Sequence, residues 1–210
     1  MTGKASAHHR CLTLRLAFGA SGLCVEEAEA HLVTTGVGPV YDGVAHFVLT
    51  PESFLPVIGL AILAGLRGSA HGRWVLLILP ALWFIGGVCG AITGRLLGEP
   101  IAIISLLATG GFAAADLPLP LWATALLAAL TGFALGYADG SILPLDGTGA
   151  RILLGMVGAV FVTFALTVML ILPLRSRAAR IAMRVLGSWI AASGLLLFGW
   201  WLRSGSPFNI

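Results

Sequence analysis

Long apolar runs occupy most of this sequence, and they are separated by glycine, proline or single charged residues. Apolar residues make up 58% of the 210 positions and charged residues only 10%. A soluble domain carries about 25% charged residues, because its surface must remain hydrated. This chain has too few charges to cover such a surface, so its main solvent is lipid. The sequence therefore predicts an all-α, polytopic membrane protein. The net charge of +3 comes from scattered arginines and gives no indication of nucleic-acid binding.

The first thirty residues have the pattern of a secretory signal peptide, with a basic start, an apolar run at 12–25 and small residues near position 30. A run of about fourteen residues forms a helix of roughly 21 Å, which is too short for a hydrocarbon core of about 30 Å. We therefore predict cleavage between Ala30 and His31, while Arg15 inside the run keeps an uncleaved anchor open as the alternative. The predicted domains are a signal peptide at 1–30, an outer-face segment with candidate metal ligands at 31–51 and a transmembrane helical domain at 52–210.

Six transmembrane helices, rich in glycine, are predicted after the signal peptide. Their expected spans are 52–66, 74–97, 101–117, 120–138, 149–173 and 181–202. The first span is short and can recruit residues 44–49, with kinks at Pro51 and Pro56. Glycines at every fourth position line one helix face and let another helix approach closely, and such packing could also shape a narrow path. These glycines are Gly86, Gly90, Gly94 and Gly98 in the second helix, and Gly132, Gly136 and Gly140 in the fourth.

The distribution of arginines predicts the orientation of the chain in the membrane. A cleaved signal peptide leaves the mature N-terminus outside the cytoplasm, so the loops at 67–73 and 174–184 fall on the cytoplasmic side. These two loops hold six arginines, whereas the opposite side holds three. The excess agrees with the positive-inside rule. It predicts a multi-pass protein of the bacterial cytoplasmic membrane, the inner membrane of the cell.

Ionisable residues at membrane depth are costly and usually face a protein interior or an aqueous cavity. Asp42 and His46 are four residues apart, so on a helix they share one face and could give one oxygen and one nitrogen to a metal ion. An ordinary interfacial hydrogen bond is the competing explanation. His31 would add its ring nitrogen and a free α-amine if cleavage precedes it, and Asp139 is either a turn cap or a second ion position. The predicted metal ligands are His31, Asp42, His46 and Asp139, with Tyr41 and Glu52 nearby.

Three other polar residues are assigned different roles. His71 lies between two arginines and is predicted to be a solvated loop residue. Asp116 precedes a proline-rich segment and is predicted to lie in an interfacial loop on the cytoplasmic side, with an exit site as the open alternative. Asp146 is followed by glycine, a pair that is typical of turns.

Several short elements of the chain resemble the HupE/UreJ family, whose members are hydrogenase and urease accessory membrane proteins regarded as nickel or cobalt permeases. The elements are His31-Leu-Val-Thr-Thr-Gly-Val-Gly-Pro-Val-Tyr-Asp-Gly43, Thr50-Pro-Glu52, Leu63-Ala-Gly-Leu-Arg-Gly68 and Gly136-Tyr-Ala-Asp-Gly140. Together with a cleaved signal and six glycine-rich helices, they are similar to a divergent branch of that family. The resemblance covers essentially the whole mature chain and implies a role in handling nickel or cobalt.

The chain departs from the family at the metal-binding motifs. The first motif of the family is a histidine, five residues and then Asp-His. His46 matches its last position, but Ala45 and Pro39 stand where the aspartate and the first histidine belong. The second motif resembles Phe-His-Gly-x-Ala-x-Glu. Here Leu135 replaces the histidine, Asp139 takes the variable place and Ile142 lies near the expected glutamate. The resemblance therefore carries over His46 alone, and His31, Asp42 and Asp139 would have to form a different ligand set.

These features predict a membrane permease that captures a divalent transition metal ion at its outer face, with nickel or cobalt favoured and copper or zinc as alternatives. A non-transporting metal-binding or metalloenzyme-assembly accessory protein is the alternative function. An enzyme is not expected, because the sequence has no His-Glu-x-x-His pair and its serines have no evident base partner. The expected partners are the metal ion, as substrate, and the lipid bilayer. A second copy of the chain or metalloenzyme assembly proteins are further expected partners.

Overall fold

The computed structural model describes residues 34–95, 100–174 and 176–204, and its secondary structure there is entirely helical. The seven helices in these ranges are α1 (Pro39–Leu49), α2 (Pro51–Arg67), α3 (Ser69–Thr93), α4 (Pro100–Ala115), α5 (Leu121–Gly140), α6 (Gly147–Ile171) and α7 (Arg177–Ser204). Helices α2 to α7 correspond to the six predicted spans, with ends shifted by a few residues. The predicted signal peptide at 1–30 and the predicted ligand His31 lie outside the described residues.

The helices have the length and composition of a membrane protein. Within the described ranges, α3, α5, α6 and α7 are each long and apolar enough to cross a membrane. Helices α1 and α2 pass the same test as a pair that is bent by 73°, and α4 is a shorter apolar helix of 16 residues. Large apolar side chains also face outward, for example Leu170 and Leu196, which are 72% and 76% exposed. The predicted all-α, polytopic membrane fold is confirmed.

The bend between α1 and α2 lies at Thr50 and Pro51. Thr50 has an extended backbone, with φ −99° and ψ 96°. A proline disfavours helical geometry at the residue before it and has no N–H to continue the hydrogen-bond ladder. The kink predicted at Pro51 is therefore a full break between two helices. Pro56, by contrast, lies inside the continuous helix α2.

Helix α1 occupies residues that the sequence assigned to the outer-face segment, and it packs closely against α6. Pro39 is its first residue, a position where the missing N–H of proline leaves no donor unpaired. A Cβ atom on Gly43 would overlap the carbonyl oxygen of Ile152, and one on Gly155 would overlap that of Val40. The two backbones are therefore in direct contact, and this contact fixes the place of α1 in the bundle.

Close backbone contact also joins α3 to α5, as the repeated glycines predict. A Cβ atom on Gly86 would overlap the carbonyl oxygen of Phe133, and one on Gly136 would overlap that of Trp83. Gly90, Gly132 and Gly140 lie in the same kind of contact. Gly94 does not belong to this interface. It ends α3 in the left-handed conformation, with φ 57°, which glycine adopts without a steric penalty. Gly98 lies outside the described residues.

Candidate metal-binding site

His46 of α1 and Asp139 of α5 come together inside the bundle, although they are far apart in the sequence. The Nε2 atom of His46 lies 3.7 Å from the Oδ1 atom of Asp139. The two residues are only 6% and 7% exposed. The hydroxyl of Ser53, at the start of α2, donates to the carboxylate of Asp139 at 3.2 Å from Oδ1 and 3.3 Å from Oδ2. These three residues form what we call the His46–Asp139 site.

Three helix ends place these side chains at one corner of the bundle. His46 lies in the last turn of α1 and Ser53 in the first turn of α2, so the break between the helices turns both towards the same place. The break itself is held by hydrogen bonds, since the Thr50 N–H donates to the His46 carbonyl at 3.0 Å and the Ser53 N–H donates to the Thr50 carbonyl at 3.1 Å. Asp139 lies in the last turn of α5.

Aromatic packing holds α1 in position beside the site. Phe47, the residue after His46, is completely buried. Its ring meets the ring of Trp83 edge-to-face, with 5.8 Å between the centroids, and that of Phe54 at 5.7 Å. Trp83 in turn lies against Gly136 of α5, one turn before Asp139. The same packed side chains therefore fix the helices that carry His46, Ser53 and Asp139.

The position of Asp139 favours a positive charge next to it. A buried carboxylate loses its hydration, and a single hydroxyl donor replaces only part of that loss. Asp139 also lies at the C-terminal end of a helix, where the negative end of the helix dipole disfavours a negatively charged side chain. A metal cation bound beside the Asp139 carboxylate would offset both effects.

The separation of the two side chains suits a shared metal ion better than a direct hydrogen bond. A distance of 3.7 Å is too long for a hydrogen bond. Histidine nitrogen and carboxylate oxygen bind zinc-like ions at about 2.0–2.2 Å, which places two such ligands roughly 3.0–3.6 Å apart. A small movement of either side chain would bring both within bonding distance of one ion.

The other predicted ligands are placed differently. The Asp42 carboxylate accepts hydrogen bonds from the backbone N–H and the hydroxyl of Thr35, both at 2.6 Å. It therefore ties the segment before α1 to that helix. Tyr41 is 61% exposed, and Glu52 lines a cavity of about 170 Å³ beside α4 and α7. Among the described residues, no group of three or more His, Cys, Asp and Glu side chains is arranged to hold a metal ion.

Two residues outside the site have partners that the sequence did not indicate. The prediction that His71 is a solvated loop residue is wrong, because His71 lies in α3 with its Nδ1 atom 3.1 Å from the Thr124 hydroxyl. Asp116 lies between α4 and α5, as expected for a loop residue, but it also pairs with Arg67 and Arg180. Pairing with Arg67 has no local sequence signal, since the two residues are separated by two helices and their connections.

The hydrogen bond from Ser53 to Asp139 was also not predicted from the sequence, although one feature of the sequence indicates it. Ser53 follows the helix break at Pro51 and lies seven residues after His46. A break at that point can bring its hydroxyl close to this candidate ligand. Asp146 fulfils a turn role, as predicted: its Oδ1 accepts from the N–H groups of Thr148 at 2.9 Å and Gly149 at 2.8 Å and caps α6.

The fold and the site together define a polytopic membrane protein with a His–Asp pair buried in its helical bundle. Comparison with known families agrees with this class and is more specific. The model of the HupE / UreJ protein family matches residues 20–197, so the chain belongs to that family. The family is linked to nickel and cobalt, in accessory or permease-like roles. No curated protein and no solved structure matches the chain.

Proposed function

We propose that this protein is a permease that carries a divalent transition metal ion across the membrane by way of the His46–Asp139 site. The observation that carries the proposal is the pairing of a buried imidazole and a buried carboxylate at 3.7 Å between α1 and α5. Ionisable residues inside a membrane protein commonly mark the path of an ion or substrate. Membership of the HupE/UreJ family supports a metal ion as that substrate.

The chemistry of the two side chains indicates the class of metal. Imidazole nitrogen suits nickel, cobalt, copper and zinc, whereas a site made of oxygen alone would suit magnesium, calcium or manganese. Two protein ligands hold an ion less tightly than the four of a closed structural site, so the ion can be released. Ser53 orients the carboxylate, and water would complete the coordination. Nickel and cobalt are the favoured substrates, with copper and zinc as alternatives.

The predicted ligands His31 and Asp42 belong to the first step of this proposal, the capture of the ion at the outer face. Asp42 lies on α1, four residues before His46. Its carboxylate is bonded to Thr35, so an ion would have to exchange with these hydrogen bonds. We also propose that the protein is not an enzyme. Transport would draw on an ion gradient or a partner protein.

The test is metal uptake by purified protein reconstituted into liposomes, with metal binding measured in parallel on the same samples. His46→Gln and Asp139→Asn keep the size of each side chain but remove a ligand, so both variants should lose uptake of nickel and cobalt. Asp42→Ala should reduce uptake if this residue takes part in capture. Asp146→Asn is the matched control, because the Asp146 carboxylate accepts from the first amides of α6 and from none of the three site residues, and asparagine can still cap α6.

The outcomes separate the alternatives. Uptake that persists in both His46→Gln and Asp139→Asn would reject the site. Specific binding by the wild-type protein without any uptake would reject the permease and favour the accessory function. A metal-dependent turnover of a substrate that is lost with His46→Gln would instead indicate an enzyme.

A further inference from the structure

A cavity of about 470 Å³ lies at the other end of α2 from the His46–Asp139 site. Arg67 follows Ser53 by fourteen positions on α2, which corresponds to about 21 Å along a helix. The cavity lies between the α2–α3 turn and the α6–α7 connection. Its polar lining includes Arg67, Ser69, Ser176 and Arg180. We call it the arginine cavity.

Positive charge dominates the arginine cavity. Arg67 and Arg180 share one counter-ion, Asp116: the Arg67 guanidinium pairs with its Oδ1, and the Arg180 Nε lies 2.6 Å from its Oδ2. Two guanidinium groups against one carboxylate leave one net positive charge. Each guanidinium has five N–H donors, and Asp116 occupies only some of them. The Arg67 Nε atom is buried and has no hydrogen-bond partner in the described part of the chain.

Helix starts add to this charge. Ser69, which lines the cavity, is the first residue of α3, and no side chain caps that helix. The first amides of a helix have no partner within it and carry the positive end of the helix dipole. Ser176 also lines the cavity, directly before α7, and its hydroxyl accepts from the Ala179 N–H at 3.1 Å. Two helix starts and two guanidinium groups therefore surround the same space.

We propose that the arginine cavity binds a phosphate-type anion, supplied either by the headgroup of an anionic phospholipid or by free phosphate. Guanidinium groups and unpaired helix-start amides are the donors that recognise phosphate oxygens. The remaining lining includes the apolar side chains of Ile171, Leu172 and Leu174, which suit the start of a lipid chain. Basic pockets between membrane helices bind lipid headgroups in this way. The site is separate from the His46–Asp139 site and does not depend on the proposed metal transport.

The test uses the full-length protein in a detergent free of phospholipid. Native mass spectrometry measures retention of phosphatidylglycerol, and thermal unfolding measures stabilisation by inorganic phosphate against sodium chloride at equal ionic strength. The wild-type protein should retain the lipid, gain stability with phosphate, or both. Arg180→Gln removes one guanidinium and should weaken binding at least about tenfold, as expected for the loss of one charge-assisted hydrogen bond.

A second variant adds charge without breaking the Asp116 pairs. Ser69→Asp places a carboxylate in the first turn of α3, where it favours the helix but repels an anion, so binding should again fall at least about tenfold. Arg177→Gln is the matched control: it makes the same charge change on α7 at an exposed position that does not line the cavity. It should keep wild-type affinity.

The results either identify the bound anion or refute the proposal that the arginine cavity binds one. Lipid retention without stabilisation by phosphate assigns the cavity to a phospholipid headgroup, and the reverse assigns it to free phosphate. Absence of both in the wild-type protein refutes the proposal. It is also refuted if folded Arg180→Gln and Ser69→Asp proteins bind like the wild type, or if Arg177→Gln loses binding to the same extent.

Discussion

Replacing Gly136 by alanine tests how tightly the contact between α3 and α5 holds the site. A Cβ atom at position 136 would lie 2.8 Å from the Cα and carbonyl carbon of Trp83 and would overlap its carbonyl oxygen. Ordinary contacts of this kind are 3.4–4 Å, so the two helices must separate by at least roughly 0.6 Å. The obstacle is backbone, which cannot rotate away as a flexible side chain can. Asp139, one turn further along α5, must then move relative to His46.

The magnitude follows from two opposing effects. Overpacking of a tightly packed interior costs about 1–3 kcal/mol or more, while alanine is favoured over glycine in a helix by about 0.5–1 kcal/mol. Gly158→Ala is the control, because position 158 of α6 has nothing within 4 Å of an added Cβ and experiences only the second effect. Gly136→Ala should therefore lower the free energy of unfolding in detergent, and Gly158→Ala should leave it unchanged or raise it. Equal stability of the two variants would refute the inferred close contact.

Two further substitutions test contacts at the helix ends by the same unfolding measurement. Asp146→Ala removes the cap of α6 and should cost about 1 kcal/mol, whereas Asp146→Asn should cost much less; equal losses would contradict the capping role. Asp116→Asn keeps a residue type that tolerates the φ of 50° at this position but leaves the largely buried Arg67 without its counter-ion, so about 3 kcal/mol should be lost. Arg180→Gln breaks only the half-exposed pair with Asp116 and should cost less than about 1 kcal/mol. A cost equal to that of Asp116→Asn would refute the inference that the buried pair with Arg67 contributes more to stability than the pair with Arg180.

Local patterns in the sequence predict the helices well but do not predict which of them meet. Apolar runs, and the glycine, proline and charged residues between them, locate α2 to α7. The four-residue glycine repeats that include Gly86 in α3 and Gly136 in α5 identify the helix faces that pack. The proximity of His46 to Asp139 depends on non-local contacts: Gly43 positions α1 against α6, while Gly136 positions α5 against Trp83. A one-dimensional pattern cannot show which helix fills the space beside a glycine. For the same reason, the pairing of Asp116 with two distant arginines is visible only in the folded chain.

The geometry of α5 explains how this chain can depart from the family motif and still place an ionisable pair in its interior. Leu135, at the position where the resemblance implies a histidine, is 2% exposed and lies on the same buried face as Asp139, four residues later. A histidine there would lie about 6 Å further from the C-terminal end of α5, just over one helical turn. Asp139 moves the polar position to the end of α5, where Ser53 and His46 converge at the break after α1. If the chain carries metal as proposed, this exchange replaces a nitrogen ligand by an oxygen ligand, so the preference for nickel or cobalt depends more on the imidazole of His46.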